Sequence, residues 1–375
     1  MPNKEEKRIT EQSSLYEHLE KMSVDELTAH INAENKKVAL AIEQALPAIN
    51  QLISAIEGQL KKGGRLFYAG CGTGGRLATL DTIEVQNTYG IDGSQIQAIF
   101  PGGIGCLTQT RESREDDLEN GWHQLCDKHI SEQDFVLGFS ASGTTPFVLS
   151  ILQHCKEAGI PTGCIVNNPH APIAQAADYP VEVITGPEFV TGSTRMKAGS
   201  SQKMILDMIS TSLQIRQGRV EGNKMVNAKL INHKLIDRAC RIFMERNPQY
   251  TDYKEVKQLI LESGSVKKAE DWLRSIPSKC RTPMASTVHR YKPSSPEASA
   301  ALRKPGNPEK TTWRMVGTSS AINISQSRIS YSVFLPAAPL PSCFPSCSIA
   351  RKKAFLRVAS STILTLLSPK LPIIP

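Results

Sequence analysis

From residue 25 to 61 apolar side chains recur at three- and four-residue steps: Leu27, Ile31, Val38, Leu40, Ile42, Leu46, Ile49, Leu52 and Ile56. That period predicts one long amphipathic helix. Downstream the pattern changes to short apolar runs at 65–69 (RLFYA), 96–100 (IQAIF), 135–139 (FVLGF), 162–166 (TGCIV) and 181–185 (VEVIT). These read as strands, with helical periodicity between them at about 75–88, 112–129, 145–158 and 171–177. Such alternation predicts an α/β fold, a doubly wound parallel sheet of five strands that binds ligands at the carboxyl ends of its strands. A loop, GPEFVTGSTRMKAGS, then leads into a helix near 197–217, followed by helical patterns at 229–246 and 252–273. Gly264-Ser265 punctuates the last of these, as a helix C′ residue and the next N-cap.

The expected organisation is an N-terminal helical segment (1–62), the sheet domain (63–222), a helical appendage (223–275) and a tail (276–375). The tail holds 13 of the 23 prolines, no aspartate and little periodicity. We expect it to be poorly ordered and place no function there.

Charge changes the picture in one respect. The chain of 375 residues carries a formal +8, but 14 of its Lys and Arg and only 2 of its Asp and Glu lie in 276–375, leaving the first 275 at −4. The basic balance thus belongs to the tail, and the body is not expected to bind nucleic acid. Nine scattered cysteines without a C-x-x-C pair suit reduced thiols in a cytoplasmic protein. The N-terminus, MPNKEEKRITEQ, has no apolar core of a signal peptide, and no uninterrupted apolar run approaches the ~20 residues of a membrane helix. The histidines show no metal spacing, so no metal is expected.

Three loops carry the candidate chemistry. The first, YAGCGTGGR, places Gly70, Gly72, Gly74 and Gly75 where a strand gives way to a helix, so backbone N–H groups can approach an anion. The second, Ser140-Ala-Ser-Gly-Thr-Thr-Pro146, offers hydroxyls, with Gly143 for close approach and Pro146 for the first helical turn. The third is Gly192-Ser-Thr-Arg-Met-Lys-Ala-Gly199, again at a helix start, where Arg195 and Lys197 could neutralise an anion or merely cap the helix. The spacing of the first loop also fits a dinucleotide fingerprint. However, the second strand ends Ile99-Phe100-Pro101-Gly102-Gly103, with no carboxylate to read a ribose, and no Walker lysine follows. The loops therefore favour a small sugar phosphate, with Gly72, Thr73, Gly74, Ser140, Ser142, Gly143, Thr145, Arg195 and Lys197 as its candidate contacts.

Glu84, in an otherwise weakly charged stretch of the helix opened by the first loop, is a candidate general acid or base, or simply a solvated helix carboxylate. Glu112 and Glu115 are candidates for a second carboxylate, or charges that favour a helix N-terminus.

The runs RLFYAGCGTGGRL, DTIEVQNTYG, SASGTTPFV, GPEFVTGSTRMKAGSSQK and GNKMVNAKLINHKLIDRA resemble the N-acetylmuramic acid 6-phosphate etherases. These belong to the sugar isomerase (SIS) domain superfamily and are akin to the glucokinase regulatory protein. The resemblance covers about residues 10–275. It implies lyase-type cleavage of a D-lactyl ether without a cofactor, a homodimer, and Glu84 as the acid that protonates the leaving ether. The chain departs from the family motifs at Gly74, where a serine is usual, at Val85-Gln86-Asn87 for Cys-Pro-Pro, and at Thr144 for an arginine. Aligning Ser113-Arg114-Glu115 on the family's E-D-S-R-E-like stretch puts Arg111 at the second glutamate, so Glu112 is expected to take that role. The alternative is a non-catalytic sugar-phosphate sensor or regulator of the glucokinase-regulatory type.

Overall fold

The computed structural model describes residues 8–108 and 112–275, together with the backbone of three strands in the tail. The long helix expected from periodicity is α1 (Val24–Lys61), and a reciprocal capping box between Ser23 and Glu26 starts it. Five parallel strands follow: β1 (Leu66–Gly70), β2 (Ile96–Ile99), β3 (Phe135–Ser140), β4 (Thr162–Val166) and β5 (Tyr179–Glu182). Their order across the sheet is β2-β1-β3-β4-β5. The order reverses between β1 and β3, and that topological switch point opens a crevice beyond the strands' carboxyl ends.

Because side chains alternate along a strand, each strand feeds two cores. Leu66 and Tyr68 of β1, with Phe135, Leu137 and Phe139 of β3, pack under α1, α2 (Gly72–Tyr89) and α6 (Lys197–Arg216). Phe67, Ala69 and Val136 face the opposite layer, built by α3 (Asn120–Asp127), α4 (Pro146–Glu157) and α5 (Pro172–Ala176). Among the described residues α1 is the one helix long and apolar enough to cross a membrane. Its stripe of Val38, Ile42, Ile49, Leu52 and Ile56 instead lies inside the first core, which makes it a core helix.

Three expectations shift. The single helix expected over 112–129 is a short 3-10 turn, Glu112–Asp116, followed by α3. The Asp117 carboxylate accepts the N–H groups of Glu119 and Asn120, which breaks the helix and restarts it. The fifth strand begins at Tyr179, two residues earlier than expected, because Pro180 is tolerated on this edge strand. A two-stranded hairpin, β6 (Val220–Glu221) and β7 (Lys224–Met225), spans the expected start of the appendage. Helices α7 (His233–Arg246), α8 (Tyr253–Ser263) and α9 (Val266–Ser275) then close around their own core of Phe243, Val256, Ile260 and Val266. In the tail, β8 (Arg314–Gly317), β9 (Ser320–Ser325) and β10 (Arg328–Tyr331) pair antiparallel within a second unit, 293–375. The remainder of the tail, with the order expected of it, lies outside the described residues.

Candidate active site

The first and second loops leave the carboxyl ends of β1 and β3, which are neighbours in register (Gly70 beside Phe139). The switch point therefore brings them together. In the first loop a Cβ on Gly75 would stand 2.3 Å from the Gly70 carbonyl oxygen, so this tight turn from strand to helix admits no side chain. The amino end of α2 thereby opens directly beside the sheet edge, with Cys71 as its N-cap.

In the second loop the hydroxyls gather around Ser140, which is buried. Its Oγ accepts the Gly143 N–H at 3.0 Å and lies 2.8 Å from Thr145 Oγ1 and 3.4 Å from Ser142 Oγ. Gly143 has φ 71°, and a Cβ there would meet Ala171 Cβ at 2.3 Å. Glycine thus lets the loop fold back so that the Ser142 and Thr145 hydroxyls gather around Ser140. Ser142 Oγ also accepts the Thr144 N–H at 3.3 Å. Such a cluster can turn its hydroxyl hydrogens outward to the oxygens of an anion.

The third loop meets the first at Gly199, where a Cβ would stand 3.0 Å from Thr73 Cγ2. Its two cations, however, fare differently. Arg195 is exposed. Lys197 is buried, and its ammonium lies 2.5 Å from the Glu34 carboxylate of α1. The Glu188 carboxylate accepts the N–H groups of Lys197 and Ala198, so it already occupies the amino end of α6. The structure thus ties Lys197 into a joint between α1 and α6, against its expected role as a substrate contact. The sequence could not show this, because the partner lies 163 residues away. Burial pushes the Glu34 carboxyl up, and hydrogen bonds from Lys197 and Lys37 more than reverse that, leaving it below its ordinary value.

Among the described carboxylates, Asp81 and Glu84 lie on α2 and Glu115 lies beside its amino end. Glu115 comes from the 3-10 turn, and its Oε1 is 3.4 Å from where a Gly72 Cβ would be, at the mouth of the first loop. Burial, and then the Glu115 and Asp116 charges, push the neighbouring Cys71 thiol far up, so it stays protonated. Glu112 belongs to the same turn, but its side chain lies outside the described residues, as does Arg111. Asp81 is buried, accepts from the hydroxyls of Tyr68 and Ser210, and is raised to about 6 chiefly by burial. Glu84 is exposed, and at about 1.5 Å per residue it stands ~18 Å along the helix axis from Gly72. Exposed apolar residues flank it, Leu80 at 43% and Ile83 at 50%. Among the described residues no cluster of three or more His, Cys, Asp or Glu is placed to hold a metal.

The N-terminal SIS domain of the glucokinase regulatory protein matches residues 48–156, and the SIS domain family matches residues 119–212. An N-acetylmuramic acid 6-phosphate etherase of Bacteroides thetaiotaomicron is 49% identical over 262 residues, which is 70% of this chain and 94% of that relative. Etherases of Porphyromonas gingivalis and Lactococcus lactis are 46% and 44% identical, over 72% and 66% of this chain and 98% and 82% of their own lengths. The chain belongs to the N-acetylmuramic acid 6-phosphate etherase family. Among solved structures, a Francisella tularensis phosphoheptose isomerase is 14% identical with a TM-score of 0.40, over 52% of this chain and 99% of its own. A phosphoheptose isomerase of Neisseria gonorrhoeae is also 14% identical, with a TM-score of 0.38, over 51% of this chain and 98% of its own.

The places where the chain departs from the etherase motifs can now be located. A Cβ on Gly74 would stand 2.6 Å from Gln202 Oε1, so the space beside this glycine is filled by the α6 amide. Gln202 in turn donates to Asn167 at 3.2 Å, and Asn167 donates its N–H to Ala141. A chain of polar contacts thereby connects the first loop to the second through α6 and the end of β4. Thr144, which stands for the usual arginine, donates its hydroxyl to Ser142 at 3.1 Å and so joins the hydroxyl cluster.

Proposed function

We propose that this chain cleaves the D-lactyl ether of N-acetylmuramic acid 6-phosphate, giving N-acetylglucosamine 6-phosphate and D-lactate, in the cytoplasm during recycling of cell-wall sugars. The observation that carries this is the 49% identity to an etherase over 94% of that relative's length. The geometry at the β1/β3 switch point supports it, because a glycine turn, a hydroxyl cluster and a carboxylate meet there.

In this reading Ser140, Ser142 and Thr145, with the backbone of Gly72, Thr73, Gly74 and Gly143, receive the phosphate. Arg195 adds charge at the rim. The open-chain aldehyde makes the C2 proton acidic, so a carboxylate suffices as base and the reaction calls for neither metal nor redox cofactor. Removal of that proton, and departure of lactate from C3 with a proton delivered by a second carboxylic acid, leaves an unsaturated aldehyde. Water then adds at C3 and a proton returns to C2. We assign the base to Glu115, which lies against the first loop, in preference to Glu112. We assign the acid to Glu84.

A hexose phosphate held at the first loop does not span the ~18 Å to Glu84 of its own chain. We therefore read the molecule as a homodimer in which the exposed face of α2 that carries Leu80, Ile83 and Glu84 is covered by a second copy. Each copy's Glu84 would then complete its neighbour's site.

The test is steady-state release of D-lactate from N-acetylmuramic acid 6-phosphate. Glu115→Gln is expected to lower kcat by about 10²–10⁴, the contribution of a general base. Glu112→Gln should stay close to wild type, and Ser142→Ala should raise KM. Loss in Glu112→Gln with retention in Glu115→Gln would reverse the assignment of the base.

A further inference from the structure

Residues 8–16 run across the loops of the candidate site and hold two of them at once. Thr10 is 1% exposed and Asn168, just past the carboxyl end of β4, is 3% exposed. The Thr10 N–H donates to Asn168 Oδ1 at 3.2 Å, and Asn168 Nδ2 donates to Thr10 Oγ1 at 2.9 Å. The same amide nitrogen lies 3.1 Å from the carbonyl oxygens of both Ala141 and Ser142, inside the hydroxyl loop. Carbonyls can only accept, so the amide must present its nitrogen to them, and the Thr10 N–H holds its oxygen on the other side. Four residues further, the Ser14 N–H donates to Thr191 Oγ1 at 2.9 Å and the Ser14 hydroxyl donates to the Phe189 carbonyl at 2.7 Å. Between these anchors the exposed Glu11 reaches the third loop, its Oε2 3.4 Å from where a Gly192 Cβ would be.

None of these strap residues belongs to the hydrophobic cores under the sheet. Their contacts go instead to the loops around the candidate site: Thr10 to the Asn168 amide, and Ser14 to the Thr191 hydroxyl and the Phe189 carbonyl. We propose that the segment 9–14 is a positioning strap for substrate phosphate. Through Asn168, Thr10 fixes the carbonyls of Ala141 and Ser142, and so sets where the Ser140, Ser142 and Thr145 hydroxyls converge. Ser14 holds the third loop against it. The strap touches no reacting atom, so its loss weakens phosphate binding and leaves the carboxylates' chemistry intact. The inference rests on reading the hydroxyl loop as the phosphate cradle.

The experiment measures KM and kcat for N-acetylmuramic acid 6-phosphate, and the Ki of inorganic phosphate, in full-length Thr10→Val, Thr10→Ser, Ser14→Ala and Ser142→Ala proteins. Thr10→Val keeps the shape and removes the hydroxyl. It is expected to raise KM and Ki together by about fivefold, near 1 kcal/mol for one buried hydrogen bond, with kcat within about twofold. Thr10→Ser should restore both, and Ser14→Ala should show a smaller change of the same kind should Thr10→Val fail to fold. If Ser142→Ala leaves the phosphate Ki unchanged, the cradle reading fails, and the strap proposal with it. If Ser142→Ala weakens phosphate binding while Thr10→Val and Ser14→Ala do not, the strap alone is overturned. A fall in kcat and melting temperature at constant KM would also overturn it, since that marks a merely structural contact.

Discussion

Asp81 and Glu84 are three residues apart on α2 and meet opposite surroundings. Glu84 faces outward, whereas Asp81 faces α6 and holds the Tyr68 and Ser210 hydroxyls. Burial raises Asp81 from its ordinary 3.8 to about 6. An acid raised in the fold takes up a proton on folding, so its cost is absent below about pH 4 and complete above about pH 6. At neutral pH that amounts to on the order of 3 kcal/mol. Asp81→Asn should therefore raise the melting temperature at pH 7.5, and its advantage should shrink steadily as the pH falls to 4. An advantage that does not change with pH would show that the carboxyl is not held in this way. At this scale the sequence was legible where a residue acts through its backbone or a near neighbour, as with the glycines and Ser140, Ser142 and Thr145. It was not legible for Lys197, whose type suggests an anion contact but whose ammonium reaches Glu34 on another helix. Nor could spacing show that Glu115 lies against the first loop, because that depends on how a 3-10 turn sets it beside Gly72.

Helix α6 is joined to the molecule at its amino end by carboxylates from elsewhere, Glu188 on its N–H groups and Glu34 on Lys197. The Glu34–Lys197 pair is buried on both sides, and Glu34 also pairs with Lys37 at 2.6 Å, so it is removal of Glu34 that strands a buried charge, the Lys197 ammonium. Glu34→Leu should cost about 3–5 kcal/mol in denaturant unfolding, and the double variant with Lys197→Met should recover much of it. Equal losses in the single and double variants would count against a buried pair. The depressed Glu34 pKa gives the joint a sign: its stability is present above the ordinary carboxyl value of 4.5 and is lost as the pH falls through the lower folded value. Element positions were otherwise clear from periodicity, since α1 and β1–β4 lie within a residue or so of expectation. The exceptions have local causes. Pro180 hid the first two residues of an edge strand, Asp117 split a helix, and the hairpin β6–β7 is too short for any period to show.

For the whole molecule, the strand order sets the architecture of the site. With β1 and β3 adjacent, loops 70 residues apart in sequence share one crevice; parallel connectivity implied ligand binding at the strands' carboxyl ends, and the strand order adds which loops meet there. Periodicity within one chain cannot reveal a neighbouring copy, and Glu84 is where this matters. Mixing Glu84→Gln and Glu115→Gln proteins tests the shared site. If each site draws Glu84 from the other subunit, half of randomly formed dimers carry one intact site, and the mixture regains roughly a quarter of wild-type activity. No recovery would place both carboxylates in one chain. The most direct measurement remains the simplest: incubate the full-length chain with N-acetylmuramic acid 6-phosphate and quantify D-lactate and N-acetylglucosamine 6-phosphate. Equal amounts of both, with release abolished in Glu84→Gln, are the expected result. No lactate from the wild-type chain, while the sugar phosphate still raises its melting temperature, would show a binding protein in place of an etherase.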